Sequence, residues 1–143
     1  MIFGTGVDII SISRVRDLVQ KYGDRFLTRW FTPHEIAYCS GKHNPSIHYA
    51  ARLAAKEAAV KALRVHWDNP MCWRDISVEN TDRGVPELMV SSNVLAVSDL
   101  SKAIKVHLAL SHCNEYAIAT VIAEVSSTDV NQAQSGQLPI QVQ

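Results

Sequence analysis

The chain is short of most features that reveal a function by composition. Its 14 basic and 14 acidic side chains cancel, so no overall field draws it to nucleic acid or an anionic membrane, and any electrostatic steering must be local. Cysteine is scarce. Cys39, Cys72 and Cys113 are widely spaced and odd in number, which excludes a small disulfide scaffold and the CxxC pairs of common zinc modules and points to a reduced compartment. No apolar run approaches a membrane span, and the opening MIFGTGVDII has no basic stretch before an apolar one, with Asp8 interrupting it. A soluble, unexported, cytoplasmic protein is expected. Internal repeats are absent, and His34, His43, His48, His66 and His107 show no metal-ligand spacing.

What the chain does have is apolar residues, 47% of 143, enough for one packed domain. The domain is expected over 1–125. The end, SSTDVNQAQSGQLPIQVQ, replaces apolar periodicity with Ser, Gln and Asn, so 126–143 reads as a polar, disordered tail.

Two periodicities alternate before that tail. Residues 2–10 alternate as a strand, with Phe3, Val7 and Ile9 on one face and Gly4, Gly6, Asp8 and Ile10 on the other. Ser13 or a neighbour can cap a helix through RVRDLVQKY, where Val15, Leu18, Val19 and Tyr22 recur at helical spacing before Gly23. Thr32, Pro33 and Glu35 spell a capping box with proline at the first helical position, opening a short helix in FTPHEIAYC. A longer helix is expected over about residues 46–65. DISVEN and PELMVSS flank TDRGV, KVHLALS and YAIATVIAEV flank HCNE, and VLAVSDLSKAI between them predicts a short helix. Hairpins with helices inserted argue for an antiparallel α+β domain with one long central helix, and against a doubly wound parallel sheet.

The long helix contains RLAAKEAAVKAL, residues 52–63. At about 100° per residue, Glu57, Lys61 and Arg64 share one side with Ala50, Leu53 and Ala54, while Arg52 and Lys56 fall on another. An ordinary surface helix needs only one polar face. Glu57 and Lys61 can be read as a surface i,i+4 pair among residues chosen for helix propensity. The many alanines favour a second reading: small side chains let backbone or ligand come close, so the charges are partly enclosed, and an enclosed carboxylate needs a cation.

Asp8 sits mid-strand in an apolar run, on the face that carries Gly4 and Gly6. Aspartate is disfavoured there and glycine often marks close approach by something else, although a strand-end turn residue is the plainer reading. GTG lacks the third glycine of a nucleotide fingerprint, because position 9 is Ile. Together Asp8 and Glu57 can supply two hard oxygen ligands for Mg²⁺, leaving other positions to water and phosphate, with Lys61 one turn on pointing a positive charge at the same phosphate.

Five blocks occur in order: GVDIISISR at 6–14, FTPHEIAYC at 31–39, RLAAKEAAVKAL at 52–63, NTDRGVPEL at 80–88 and LSHCNEYAIATVIAE at 110–124. Over roughly residues 1–125 this resembles the small holo-acyl-carrier-protein synthases, the group I 4′-phosphopantetheinyl transferases. The resemblance implies transfer of the phosphopantetheine arm of coenzyme A to a serine of an apo acyl carrier protein of fatty-acid or polyketide synthesis, releasing adenosine 3′,5′-bisphosphate. It implies that Asp8 and Glu57 bind Mg²⁺ and that Lys61 lies close to the pyrophosphate, with the general base left open between Glu57 and a metal-proximal water. Ser111 and His112 would line the coenzyme A site. Arg52 and Lys56 would reach coenzyme A phosphates, with snorkelling at the surface as the alternative.

Between residues 11 and 30, Arg14, Arg16, Lys21, Arg25 and Arg29 outnumber Asp17 and Asp24, which would attract an acidic carrier in a salt-dependent way. Arg14 matches the family's carrier-contacting arginine. The family also implies a homotrimer with active sites between subunits. One departure stands out: where the family has a glycine-rich turn after the long helix, near coenzyme A, this chain reads RVHWDNPMCW. A non-catalytic module binding coenzyme A or a carrier is the alternative function. A structural subunit whose charged helix serves an interface is a third.

Overall fold

A computed structural model of the chain describes residues 1–66, 72–98 and 104–125. The expected tail at 126–143, and residues 67–71 of the departure after the long helix, lie outside those residues.

Strand β1 runs Ile2–Ser11 and helix α1 Ile12–Tyr22. Ser11, two residues before the expected cap, is the one that caps α1: its side chain accepts from the Arg14 amide at 3.3 Å, while Ser13 Oγ lies 3.0 Å from Ser11 Oγ. Gly23, at φ 52, ends α1 with its amide on the Val19 carbonyl and starts a helix that the sequence reading did not foresee, α2, Asp24–Trp30. Phe26 and Leu27 are its buried residues. Helix α3, Pro33–Ser40, opens with both arms of the capping box: the Glu35 amide donates to Thr32 Oγ1 at 3.2 Å and the Thr32 amide to Glu35 Oε2 at 2.9 Å. The long helix α4 is Pro45–Ala62.

Helix α4 stops short of the expected residue 65 because Arg64 takes φ 54, the left-handed conformation that usually falls to glycine at this point. The Val65 amide then closes back on the Val60 carbonyl at 3.1 Å. Side-chain contacts hold Arg64 there, with Nη2 donating to the Phe3 carbonyl at 2.9 Å and the guanidinium 4.7 Å from the Phe3 ring. Two effects of similar size therefore oppose each other. Arg64→Ala keeps the backbone strain and loses the contacts, so it should cost roughly 1 kcal/mol. Arg64→Gly also relieves the strain and should fall within about 0.5 kcal/mol of wild type. Urea titration of both variants checks the difference.

After a 3-10 turn at Trp73–Asp75, β2 (Ile76–Asn80) and β3 (Pro86–Val90) form an antiparallel hairpin, with Gly84 at φ 78 in its turn. Helix α5 covers Ser92–Val97. The rest of VLAVSDLSKAI leaves the described residues at 99–103, and its last residue, Ile104, belongs to the next strand instead. Strands β4 (Ile104–His112) and β5 (Tyr116–Val125) complete a three-stranded antiparallel sheet in the order β1-β5-β4. The architecture is thus the α+β arrangement of hairpins and one long helix, with α4 laid over β1 and β5.

The inner face of β5 is built from small residues: Ala117, Ala119, Val121 and Ala123 are fully buried against α4. On the outer face Val7, Ile9, Tyr116 and Ile118 remain exposed. Among the described residues no helix is long and apolar enough to cross a membrane.

Candidate active site

The glycines that accompany Asp8 mark a close approach, and what approaches is the backbone of α4. A Cβ built on Gly4 would lie 2.2 Å from the Ala62 carbonyl oxygen, and one on Gly6 would lie 1.9 Å from that of Ala58. Two residues further along the same face, Asp8 stands beside α4 with its side chain on Lys61. Lys61 Nζ donates to Asp8 Oδ1 at 2.7 Å and to the Val7 carbonyl at 2.9 Å. Glu57 is one turn earlier on the helix and half-buried. Burial pushes its carboxyl above the ordinary value, the Asp8 charge pushes it further, and Lys61 only partly opposes this.

Two carboxylates with one lysine leave an excess of negative charge, which a cation would neutralise. Among the described residues no group of three or more His, Cys, Asp or Glu side chains could hold a metal ion, so the donors they offer at this place are the carboxylates of Asp8 and Glu57. That donor set suits Mg²⁺, which is commonly bound through one or two carboxylates plus waters and substrate phosphates.

Glu57 opens onto a cleft of about 390 Å³ whose wall includes Ser11, Arg14, Leu18, Phe26 and Trp30. Arg14, Arg16, Lys21, Arg25 and Arg29 are all exposed along α1 and α2. Among the described residues none of them is paired with a carboxylate, so these five cations, against the exposed Asp17 and Asp24, leave a net positive face toward solvent.

The second polar side of α4 departs from expectation, because it is not at the surface. Lys56 has no exposure, and its ammonium donates to Glu35 Oε2 at 2.9 Å, to the Trp73 carbonyl at 3.0 Å and to the Ile76 carbonyl. With three donors and three protein acceptors, Lys56 has no N–H left for a phosphate. Snorkelling is overturned for Arg52 as well, which is 3% exposed. Its Nη2 donates to Asn80 Oδ1 at 2.9 Å and its guanidinium stacks 4.2 Å from the Tyr38 ring. Its buried Nε has no partner among the described residues.

Arg52, Lys42 and His48 gather on the Tyr38 ring, forming a cluster with two cations. Lys42 Nζ sits 4.2 Å from the same Tyr38 ring, and His48 meets the ring edge-on at 5.9 Å. The His48 pKa is lowered, first by burial and then by the charges of Arg52, Lys42 and His112. His112, at the end of β4, thus belongs to the field of this cluster, and its neighbour Ser111 is exposed opposite Ile118. The sequence reading missed Lys42 and gave His48 no role. The available signal was Lys42 four residues after Tyr38, a cation-on-aromatic spacing at the end of a helix. Arg52 and Glu57 point about 140° apart around α4, so a single chain does not turn the cationic cluster and the acidic pair toward one another.

Most of the chain is similar to known proteins. A family model described as the 4′-phosphopantetheinyl transferase superfamily matches residues 4–121. The holo-(acyl-carrier-protein) synthase of Geobacter sulfurreducens is 45% identical over 125 residues, covering 87% of this chain and 98% of the relative. That of Koribacter versatilis is 40% identical over 124 residues, covering 87% and 99%. Among solved structures, the holo-(acyl-carrier-protein) synthase of Bacillus anthracis in complex with CoA (3′,5′-ADP) superimposes with a TM-score of 0.71 at 34% identity, over 88% of this chain and 99% of that one. The chain therefore belongs to the 4′-phosphopantetheinyl transferase superfamily and, within it, is similar to the holo-(acyl-carrier-protein) synthases.

Proposed function

We propose that the chain transfers the 4′-phosphopantetheine group of coenzyme A to a serine of an apo acyl carrier protein in the cytoplasm. The observation that carries this reading is the meeting of Asp8, Glu57 and Lys61 at one edge of α4, in a chain whose relatives are synthases of holo carrier protein. In the reaction the serine oxygen attacks the phosphorus next to pantetheine, the bond to the bridging oxygen breaks, and adenosine 3′,5′-bisphosphate departs.

Asp8 and Glu57 would hold Mg²⁺, which when bound neutralises diphosphate charge and makes the attacked phosphorus more electrophilic. Lys61 adds a positive charge at the leaving oxygen, and its exposed ammonium can leave Asp8 for a phosphate. For the serine proton the site offers the Glu57 carboxylate or a water held by it. Arg52, Lys42, His48 and His112 form the anion-binding cluster suited to the remaining phosphate of coenzyme A, and Ser111 borders it. Lys56 is not among these ligands.

The exposed basic side chains of α1 and α2, with Arg14 on the cleft beside Glu57, would receive the acidic carrier. Because the two charged clusters diverge around α4, and because Val7, Ile9, Tyr116 and Ile118 lie exposed on the outer sheet face, a homotrimer would complete each site across an interface.

Purified chain incubated with apo carrier, coenzyme A and Mg²⁺ should convert the carrier to a species heavier by one phosphopantetheine, read by mass spectrometry. Chelating the metal should stop the conversion. Coenzyme A binding without conversion of any apo carrier would establish the non-catalytic module instead.

A further inference from the structure

Resting on the transfer reading above, we propose that the buried Glu35–Lys56 pair is a positioning device, locking α4 in rotation and height so that Glu57 meets Asp8 beside the diphosphate. Lys56 immediately precedes Glu57, so whatever fixes one residue on the helix fixes the direction of the other. Both members of the pair have no exposure. Lys56 is bound to two peptide carbonyls, Trp73 and Ile76, and to Glu35. Glu35 is itself held by the Thr32 amide at the start of α3 and by the Val78 amide in β2, each at 2.9 Å. Five directional bonds thus converge from α3, the Trp73 turn and β2 on a pair of side chains that is itself fully buried.

The opposite flank of α4 needs such a lock. There it rests on β1 through Gly4 and Gly6 against the carbonyls of Ala58 and Ala62. That contact sets how close strand and helix come, and the side-chain bonds that cross it, from Lys61 to Val7 and Asp8 and from Arg64 to Phe3, are all exposed, so they fix the turn and height of the helix less firmly than a buried pair does. Asp8 is carried by β1 and Glu57 by α4, so their meeting depends on that register. Stability alone does not call for an ion pair at this place, since apolar side chains of similar volume usually serve as well or better. Neither Glu35 nor Lys56 lines the cleft or reaches the acidic pair; they act through the helix.

The test uses the full chain with Lys56→Met and Glu35→Gln combined, which removes both charges and nearly preserves volume. The double variant leaves the Trp73 and Ile76 carbonyls and one of the Thr32 and Val78 amides without a partner, so it should melt lower than wild type, and its activity is read on folded protein well below its own melting temperature. Its kcat should fall by about 10- to 100-fold, with KM for coenzyme A changed less than about threefold. Mn²⁺ affinity in the presence of coenzyme A, read from the paramagnetic resonance of free Mn²⁺, should weaken about tenfold. A folded double variant with wild-type kcat and Mn²⁺ affinity overturns the lock and leaves the transfer reading standing. A wild-type chain that makes no holo carrier overturns both. Should the double variant fail to fold, Lys56→Arg keeps the charge but displaces it, and is read in the same way: a kcat loss at unchanged KM supports the lock, and wild-type kcat and Mn²⁺ affinity overturn it.

Discussion

Glu57→Gln should reduce phosphopantetheine transfer by at least about a thousandfold, roughly 4 kcal/mol of transition-state stabilisation, while leaving coenzyme A binding within a few-fold of wild type. The substitution keeps size and hydrogen-bonding capacity and removes only charge. With two carboxylates as the donor set, losing one halves the anionic ligands available to a divalent ion. Asp8→Asn should do the same and in addition releases Lys61, which Asp8 Oδ1 now holds at 2.7 Å. Because the two act as one unit, the double variant should be hardly slower than either single one.

Stability should move the other way. Burial and Asp8 raise the Glu57 pKa, so the folded chain holds that proton more tightly than the unfolded chain, and the ionised carboxylate opposes folding once pH exceeds the folded value. At neutral pH without metal, Glu57→Gln should therefore melt no lower than wild type. That gain should disappear as pH falls below the ordinary carboxylate range. Thermal melts beside single-turnover assays by mass spectrometry check both halves. A folded Glu57→Gln enzyme with wild-type rates would remove Glu57 from the chemistry.

How much of this is legible in the sequence depends on how local each cause is. The capping box of α3 is a four-residue code, and Thr32 and Glu35 form both of its bonds. The face of β1 follows from period two, so strand alternation by itself puts Asp8 on the side of Gly4 and Gly6. Helix α2 carries no such code: it has seven residues and no side-chain cap, and it is held by Phe26 and Leu27 sinking into a core made mostly by other elements.

Lys56 shows the same limit at the site. Helical spacing gives the angle at which a side chain leaves the axis, and that angle separates Lys56 from Glu57 correctly. It cannot say what covers that side. Here the cover is Glu35, 21 residues earlier, and the carbonyls of Trp73 and Ile76, 17 and 20 residues later. A lysine facing solvent and a lysine enclosed by a carboxylate and two carbonyls share one sequence pattern. Even there a hint exists, for the capping box occupies only one oxygen of Glu35, while Oε1 is spent on the Val78 amide. The capping residue and the charge lock are the same side chain.

Gly6→Ala should have the second large effect, and on stability and activity together. The added methyl would stand 1.9 Å from the Ala58 carbonyl oxygen and 2.9 Å from the Ala62 nitrogen. These are backbone atoms in a helix interior and cannot rotate away, so β1 must lift from α4. Overpacking of this kind costs about 3 kcal/mol or more when no side chain can yield. Asp8 lies two residues along the lifted strand, and a displacement of about 1 Å at a reacting centre can cost on the order of a hundredfold in rate. Denaturant titration should show the lost stability. Turnover measured well below the melting temperature, on fully folded protein, should show the lost rate separately. If Gly6→Ala kept wild-type stability, strand and helix would not be in backbone contact at this point. If it lost stability but kept its rate, Asp8 would not depend on that contact for its position beside Glu57.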